Sequence, residues 1–173
     1  MVDTTVTFNN SGQVSVVNTI WYLPVKKLDP AAKLPTRGSA EAAGWDLYAN
    51  SYEDFNTNED WVLNIPPHAT VKIGTGIAIA LPKNTFGGVY PRSGMATKQG
   101  LAPANKVGVI DSDYRGELIV ALHNHSDYMQ VLHRGDRIAQ LIVQPYIPVE
   151  LNEVTELDET ERGDGGFGST GTN

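Results

Sequence analysis

The segment Arg162-Gly163-Asp164-Gly165-Gly166-Phe167-Gly168-Ser169-Thr170-Gly171 sets one guanidinium, one aromatic ring and two adjacent hydroxyls on a glycine-rich backbone. Glycines let successive N–H groups turn toward one anion, and arginine forks onto phosphate oxygens. Phe167 offers a flat face on which a base stacks. With little apolar surface of its own, residues 161–173 read either as a lid ordered by a ligand or as a plain glycine-rich tail.

Three internal segments carry related chemistry. In Tyr90-Pro91-Arg92-Ser93-Gly94-Met95-Ala96, Ser93 is placed to cap a short helix, whose N-terminus together with Arg92 would receive phosphate. The alternative is an ordinary capped turn with a solvated arginine. Asn105 to Glu117 reads as a strand–turn–strand hairpin with Asp111 to Gly116 at the bend. Asp111 follows two β-branched residues, so its carboxylate is expected to be partly shielded and suited to act as a base. Asn105 offers a donor and an acceptor, as reading a base edge requires. The competing reading is a polar turn, in which Asp, Ser and Gly are ordinary. Gly135-Asp136-Arg137-Ile138-Ala139-Gln140 opens a strand whose alternation carries Arg137, Ala139 and Leu141 to one face, or is a strand entry with a salt bridge.

Other patterns lead less far. Arg-Gly-Asp occurs at 134–136 and 162–164, each time inside one of these longer segments. His123 and His125 lie two apart on one strand face with His133 nearby, but no carboxylate or Cys completes a familiar metal set, so edge histidines are expected. There is no Gly-x-Ser-x-Gly elbow and no P-loop.

The elements that must position these residues are short. Ile20–Val25, Val71–Ile73, Ile77–Leu81, Glu117–Leu122, Met129–Leu132 and Ile138–Val143 are apolar, rich in β-branched residues and separated by Gly, Pro, Asn or Asp. That pattern predicts an all-β barrel or jelly roll. Only Ser93–Lys98 reads as helix, ending at Gly100. Residues 1–18 are polar and form a loose arm or an added edge strand. Residues 50–60 form an acidic polar surface loop. With no linker or repeat, one domain over 19–160 is expected.

Composition narrows the function further. The 173 residues include 17 Gly, 10 Pro and no Cys, which removes disulfides and thiolate chemistry. A net charge of −7 argues against broad binding to nucleic acid, so a polyphosphate ligand needs a locally basic site or a divalent cation. No apolar run spans a membrane and no leader is visible, so a cytoplasmic location is expected.

In order along the chain, Ala43-Gly44-Trp45-Asp46-Leu47-Tyr48-Ala49, Pro91-Arg92-Ser93-Gly94, Gly108 to Glu117, Gly135 to Gln140 and Arg162 to Gly171 resemble the five motifs of the trimeric dUTP diphosphatase (dUTPase) family. The resemblance covers roughly residues 20 to 171 and departs at Met95, usually Leu, and at Trp45. It implies a distorted jelly roll of the β-clip type, assembled as a homotrimer with shared active sites. It implies hydrolysis of dUTP to dUMP and pyrophosphate with Mg²⁺, which limits uracil in DNA and supplies dUMP for dTMP synthesis. By that resemblance Asp111 is the general base, while Asn105, Gly108 and Ile119 read uracil. Tyr114 packs under the deoxyribose. Arg92, Ser93, Gly94 and Gln140 hold phosphates, and Asp46 meets the water shell of the metal. Arg162, Ser169 and Thr170 close on the γ-phosphate while Phe167 covers uracil, and Gly168 belongs to the same substrate-binding set. The competing enzymatic reading is a dCTP deaminase of the same fold. A binding reading adds a regulatory protein partner on the 50–60 loop.

Overall fold

In a computed structural model of the chain, residues 2–8, 14–52 and 60–166 are described, and side chains are described from Trp21 onward within those ranges. Among the described residues fourteen strands and one helix follow in order. They are β1 (Val2–Phe8), β2 (Val14–Trp21), β3 (Val25–Lys27), β4 (Trp45–Tyr48), β5 (Ser51–Tyr52), β6 (Val62–Ile65), β7 (Thr70–Gly74), β8 (Ile77–Ile79) and β9 (Thr85–Tyr90). Then come α1 (Ser93–Lys98), β10 (Leu101–Pro103), β11 (Gly108–Ile110), β12 (Ile119–Asn124), β13 (Gln130–His133) and β14 (Arg137–Pro145).

Two four-stranded antiparallel sheets carry the fold, ordered β10-β12-β7-β5 and β11-β9-β14-β4, with ribbons β13-β6 and β3-β8 beside them. Leu47, Ile73, Ile77, Leu118, Leu122, Leu132 and Leu141 are fully buried among them. Alternation produces this core: β12 buries Val120, Leu122 and Asn124 and turns the residues between them outward. This all-β arrangement is the fold class expected from the short apolar runs. Among the described residues β1 and β2 pair only with each other, and β2 continues past residue 18 to Trp21.

The helix spans the predicted residues, but its start differs. Arg92, extended at φ −85°, ψ 129°, takes the cap position, no side chain caps it, and Ser93 is the first helical residue. The Arg92 carbonyl accepts the Ala96 N–H at 2.9 Å while its guanidinium is drawn away to Asp46.

The expected hairpin over 105–117 is absent. β11 pairs with β9, whereas β12 pairs with β10 and β7, so the chain crosses from one sheet to the other between them. Leu118, fully buried, draws the chain across, and its carbonyl accepts both the Thr75 N–H and the Thr75 hydroxyl. Strict alternation also fails at the start of β14. A register shift against β4 between Arg137 and Ala139 leaves Arg137 exposed and buries Ile138, Ala139 and Leu141. In the acidic stretch, Ser51 and Tyr52 form β5 against β7 rather than loop, while 53–59 lie outside the described residues.

β9 reads poorly as a strand because Gly87 and Gly88 interrupt it, yet it is central in its sheet. The glycines permit close approach: a Cβ on Gly88 would strike the Tyr90 ring, and one on Gly87 would lie 3.0 Å from Leu141 Cδ1.

A buried polar knot ties the N-terminal part to the turn before β14. Asp29 accepts from Asn50 Nδ2 at 2.8 Å, from the Ala31 N–H at 2.8 Å and from Arg134 at 3.2 Å. The Asn50 and Ala31 bonds, with the charges of Arg134 and Lys27, hold the Asp29 carboxyl below its usual range against the opposing pull of burial. A depressed native pKa contributes stability that is complete above the unfolded value, about 3.9, and is lost as pH falls through the native one. Acid unfolding followed by circular dichroism should therefore show a limb below about pH 4 that flattens in Asp29→Asn. An unaltered limb in that variant would remove Asp29 from the account.

Candidate active site

The described residues hold two clusters of interest. In the first, Val109 and Ile110 of β11, Asp111, Tyr114 and Glu117 of the crossing, and Ile119 of β12 line a recess of about 170 Å³. Val109, Tyr114 and Ile119 are apolar or aromatic side chains left exposed there. The crossing is latched internally. The Tyr114 N–H donates to the Asp111 carbonyl at 3.1 Å, and its hydroxyl donates to the Glu117 carbonyl at 3.0 Å. Arg115 donates to the carbonyls of Ser112 and Tyr114, both at 2.8 Å. Asp111 itself is exposed, which corrects the expectation of shielding. The β-branched pair before it does not cover it, because Val109 points outward and the sheet ends at Ile110.

The second cluster centres on Asp46 of β4, which is buried. Arg92 Nε donates to Asp46 Oδ1 at 2.8 Å and Arg137 donates to Oδ2 at 3.1 Å. Gln140 of β14 pairs with Asp46 on one side and Tyr90 on the other, and donates from Nε2 to the Pro91 carbonyl at 2.9 Å. Ser93 and Gly94 stand exposed at the head of α1, directly after Arg92. Two guanidiniums against one carboxylate leave a positive charge in excess, so the locally basic patch that a polyphosphate needs exists despite the net charge of −7. Arg137, read from sequence only as a strand residue with a salt bridge, thus joins Arg92 on the same carboxylate. Its position three residues before Gln140 was the available signal.

Asn105 and Gly108 sit together at the far end of β11, where a Cβ on Gly108 would lie 3.3 Å from Asn105 Nδ2. Arg162 bonds within its own turn, donating to the Gly165 carbonyl at 2.8 Å. Phe167, Gly168, Ser169 and Thr170 lie outside the described residues. His123 and His125 stack edge to face at 4.4 Å, and among the described residues no three His, Cys, Asp or Glu are grouped to hold a metal. No helix among the described residues is long and apolar enough to cross a membrane.

The two clusters do not meet within one chain. β11 runs antiparallel to β9 with Ile110 opposite Gly87 and Gly108 opposite Val89. By that register Asp111 falls level with Phe86, near the start of β9, and Arg92 lies beyond its end, with at least roughly 10 Å of strand between them.

A dUTPase family model matches residues 30–171, more than four fifths of the chain. This chain belongs to the dUTPase family. It is 45% identical over 153 residues to the deoxyuridine 5'-triphosphate nucleotidohydrolase of Candida albicans, covering 87% of this chain and 89% of that one. The fold of the dUTPase-family chain is similar to that of a point mutant of the Staphylococcus bacteriophage 80alpha dUTPase solved with dUpNHpp. Their TM-score is 0.75 at 26% identity, over 87% of this chain and 99% of the other. It is also similar in fold, with a TM-score of 0.66 at 24% identity over 80% of this chain and 99% of the other, to a mutant dUTPase from phage phi11 of S. aureus. That structure reveals the coordination of a structural Mg(II) ion.

Proposed function

We propose that the chain hydrolyses dUTP to dUMP and pyrophosphate, with Asp111 as the general base. The observation that carries the reading is the recess itself. An exposed carboxylate stands beside an aromatic ring and apolar walls, in a chain that also holds a separate arginine pair for phosphates. In the reaction Asp111 removes a proton from water as its oxygen bonds to the α-phosphorus. The bond from that phosphorus to the oxygen bridging toward the β-phosphorus breaks, and pyrophosphate leaves with the electron pair. Asn105, Gly108 and Ile119 read uracil, and Tyr114 supports the deoxyribose. Arg92, Ser93, Gly94 and Gln140 hold phosphates. Arg162, Phe167, Gly168, Ser169 and Thr170, in the segment 161–173, close over the substrate.

The donor set fits Mg²⁺ held mainly by substrate phosphates and water rather than by a protein cage. Asp46 already accepts from two guanidiniums, so its part is a contact to the water shell of the ion. Charge on the phosphate oxygens would be neutralised by an ion held in that way.

The separation of the two clusters along β9 supports a site in which Asp111 of one chain faces Arg92 of another, and the family resemblance makes that assembly a homotrimer. Incubation with dUTP or dCTP in the presence of Mg²⁺, followed by separation of products, tests the reading. Release of dUMP and pyrophosphate from dUTP is the expected result. Conversion of dCTP to dUTP would instead make the chain a deaminase.

Sugar selectivity is placed in Tyr114, whose ring is fixed by its hydroxyl on the Glu117 carbonyl. Tyr114→Ala opens space beside the recess, so the ratio of kcat/KM for UTP to that for dUTP should rise, by about tenfold for about 1.4 kcal/mol of relieved exclusion. An unchanged ratio would move sugar selection elsewhere.

A further inference from the structure

Glu117 closes the third of the five motifs, at the crossing between the sheets, but has no part in the roles above, and its surroundings are unusual. From the crossing, its carboxylate reaches the turn between β7 and β8 in the other sheet, where Oε1 accepts the Gly76 N–H at 2.7 Å. That turn is built to receive it. Gly76 adopts φ +68°, a conformation that favours glycine, which aims its N–H at the carboxylate. A Cβ on Gly74 would lie 2.6 Å from Glu117 Oε1 and would also strike Ser51 Oγ, so the glycine keeps the seat clear.

The consequence lies in what the crossing otherwise holds on to. Asp111, Asp113, Tyr114 and Arg115 are exposed, and the hydrogen bonds of Tyr114 and Arg115 close on carbonyls of the crossing itself. Its ends are fixed, by Ile110 in β11 and by Leu118 on Thr75. Between those ends, Glu117 supplies the side-chain bond to the rest of the fold, and its own carbonyl holds the Tyr114 hydroxyl. One residue thus joins the ring of the recess, through its backbone, to the opposite sheet, through its carboxylate.

We infer that Glu117 is a positioning residue that sets where Tyr114 stands in the recess, and so governs nucleotide affinity and sugar discrimination without touching the reacting phosphate. The inference rests on the recess being the nucleoside site. Losing a charge-assisted hydrogen bond lets the crossing drift, and Tyr114 drifts with it.

Three variants separate this role from general stabilisation. In Glu117→Ala, KM for dUTP should rise about tenfold, the size of one charge-assisted hydrogen bond, with kcat within about twofold and UTP discrimination reduced. Glu117→Gln keeps an acceptor oxygen for the Gly76 N–H and should recover most of the loss. Gly74→Ala displaces only the ends of the Glu117 and Ser51 side chains, so it should fold and reproduce the Glu117→Ala kinetics. Amide hydrogen exchange provides a readout without turnover: segment 111–117 should exchange faster in Glu117→Ala and Gly74→Ala but not in Glu117→Gln. Wild-type exchange in Glu117→Ala overturns the inference whether or not the chain hydrolyses dUTP. A fall in kcat that Gln does not rescue overturns it too, because that is the mark of a structural role. Absence of dUTP hydrolysis by the unaltered chain would instead refute the proposed function, leaving the exchange data to decide on Glu117.

Discussion

Asp111→Asn is expected to reduce kcat for dUTP by about 10²–10⁴-fold, the usual cost of removing a general base, while KM changes little. The amide has nearly the shape of the carboxylate and keeps an acceptor oxygen, but it cannot take a proton from water near neutral pH. The fold should tolerate the change, because Asp111 is exposed and what closes the turn is its backbone carbonyl, which receives the Tyr114 N–H. Steady-state kinetics and a thermal melt on the same preparation check both halves. Turnover near that of the unaltered enzyme would exclude Asp111 as the base, and a large drop in melting temperature would mean that the variant reports stability instead.

Mixing two dead proteins should restore activity. Arg92→Ala removes a guanidinium from the phosphate cluster while Arg137 still neutralises Asp46, so the chain should fold and turn over poorly. Asp111→Asn keeps its arginines and lacks the base. If each site takes Asp111 from one chain and Arg92 from another, unfolding and refolding an equal mixture places both intact residues in about one quarter of the sites. Activity should rise from near zero to about a quarter of the unaltered level, read by pyrophosphate release, with light scattering reporting a trimer. A site contained in one chain would give no recovery at any mixing ratio. Recovery without oligomers would rule out assembly as its cause.

Local chemistry was legible in the residues themselves. Six short apolar runs marked strands that formed at or beside them, and Ser93–Lys98 is the helix at the predicted residues, since Pro91 before it and Gly100 after it bound a run that buries Met95. Asp111, Tyr114 and Ile119, singled out as site residues, line one recess. Such features depend on backbone preference and on alternation, which neighbouring residues encode.

What depends on distant partners was not legible. Asp46 and Arg137 are 91 positions apart, and only the pairing of β4 with β14 joins them. Glu117 meets Gly76 across 41 positions because Leu118 belongs to the core of the other sheet. The same crossing turned an expected hairpin into a bridge between sheets and left Asp111 exposed. The sequence by itself determined which residues could do chemistry and which short elements carry them. Tertiary structure decided which carboxylate is neutralised, which is left exposed and how far Asp111 stands from the arginines, because sheet register and burial are set by contacts between segments remote in the chain.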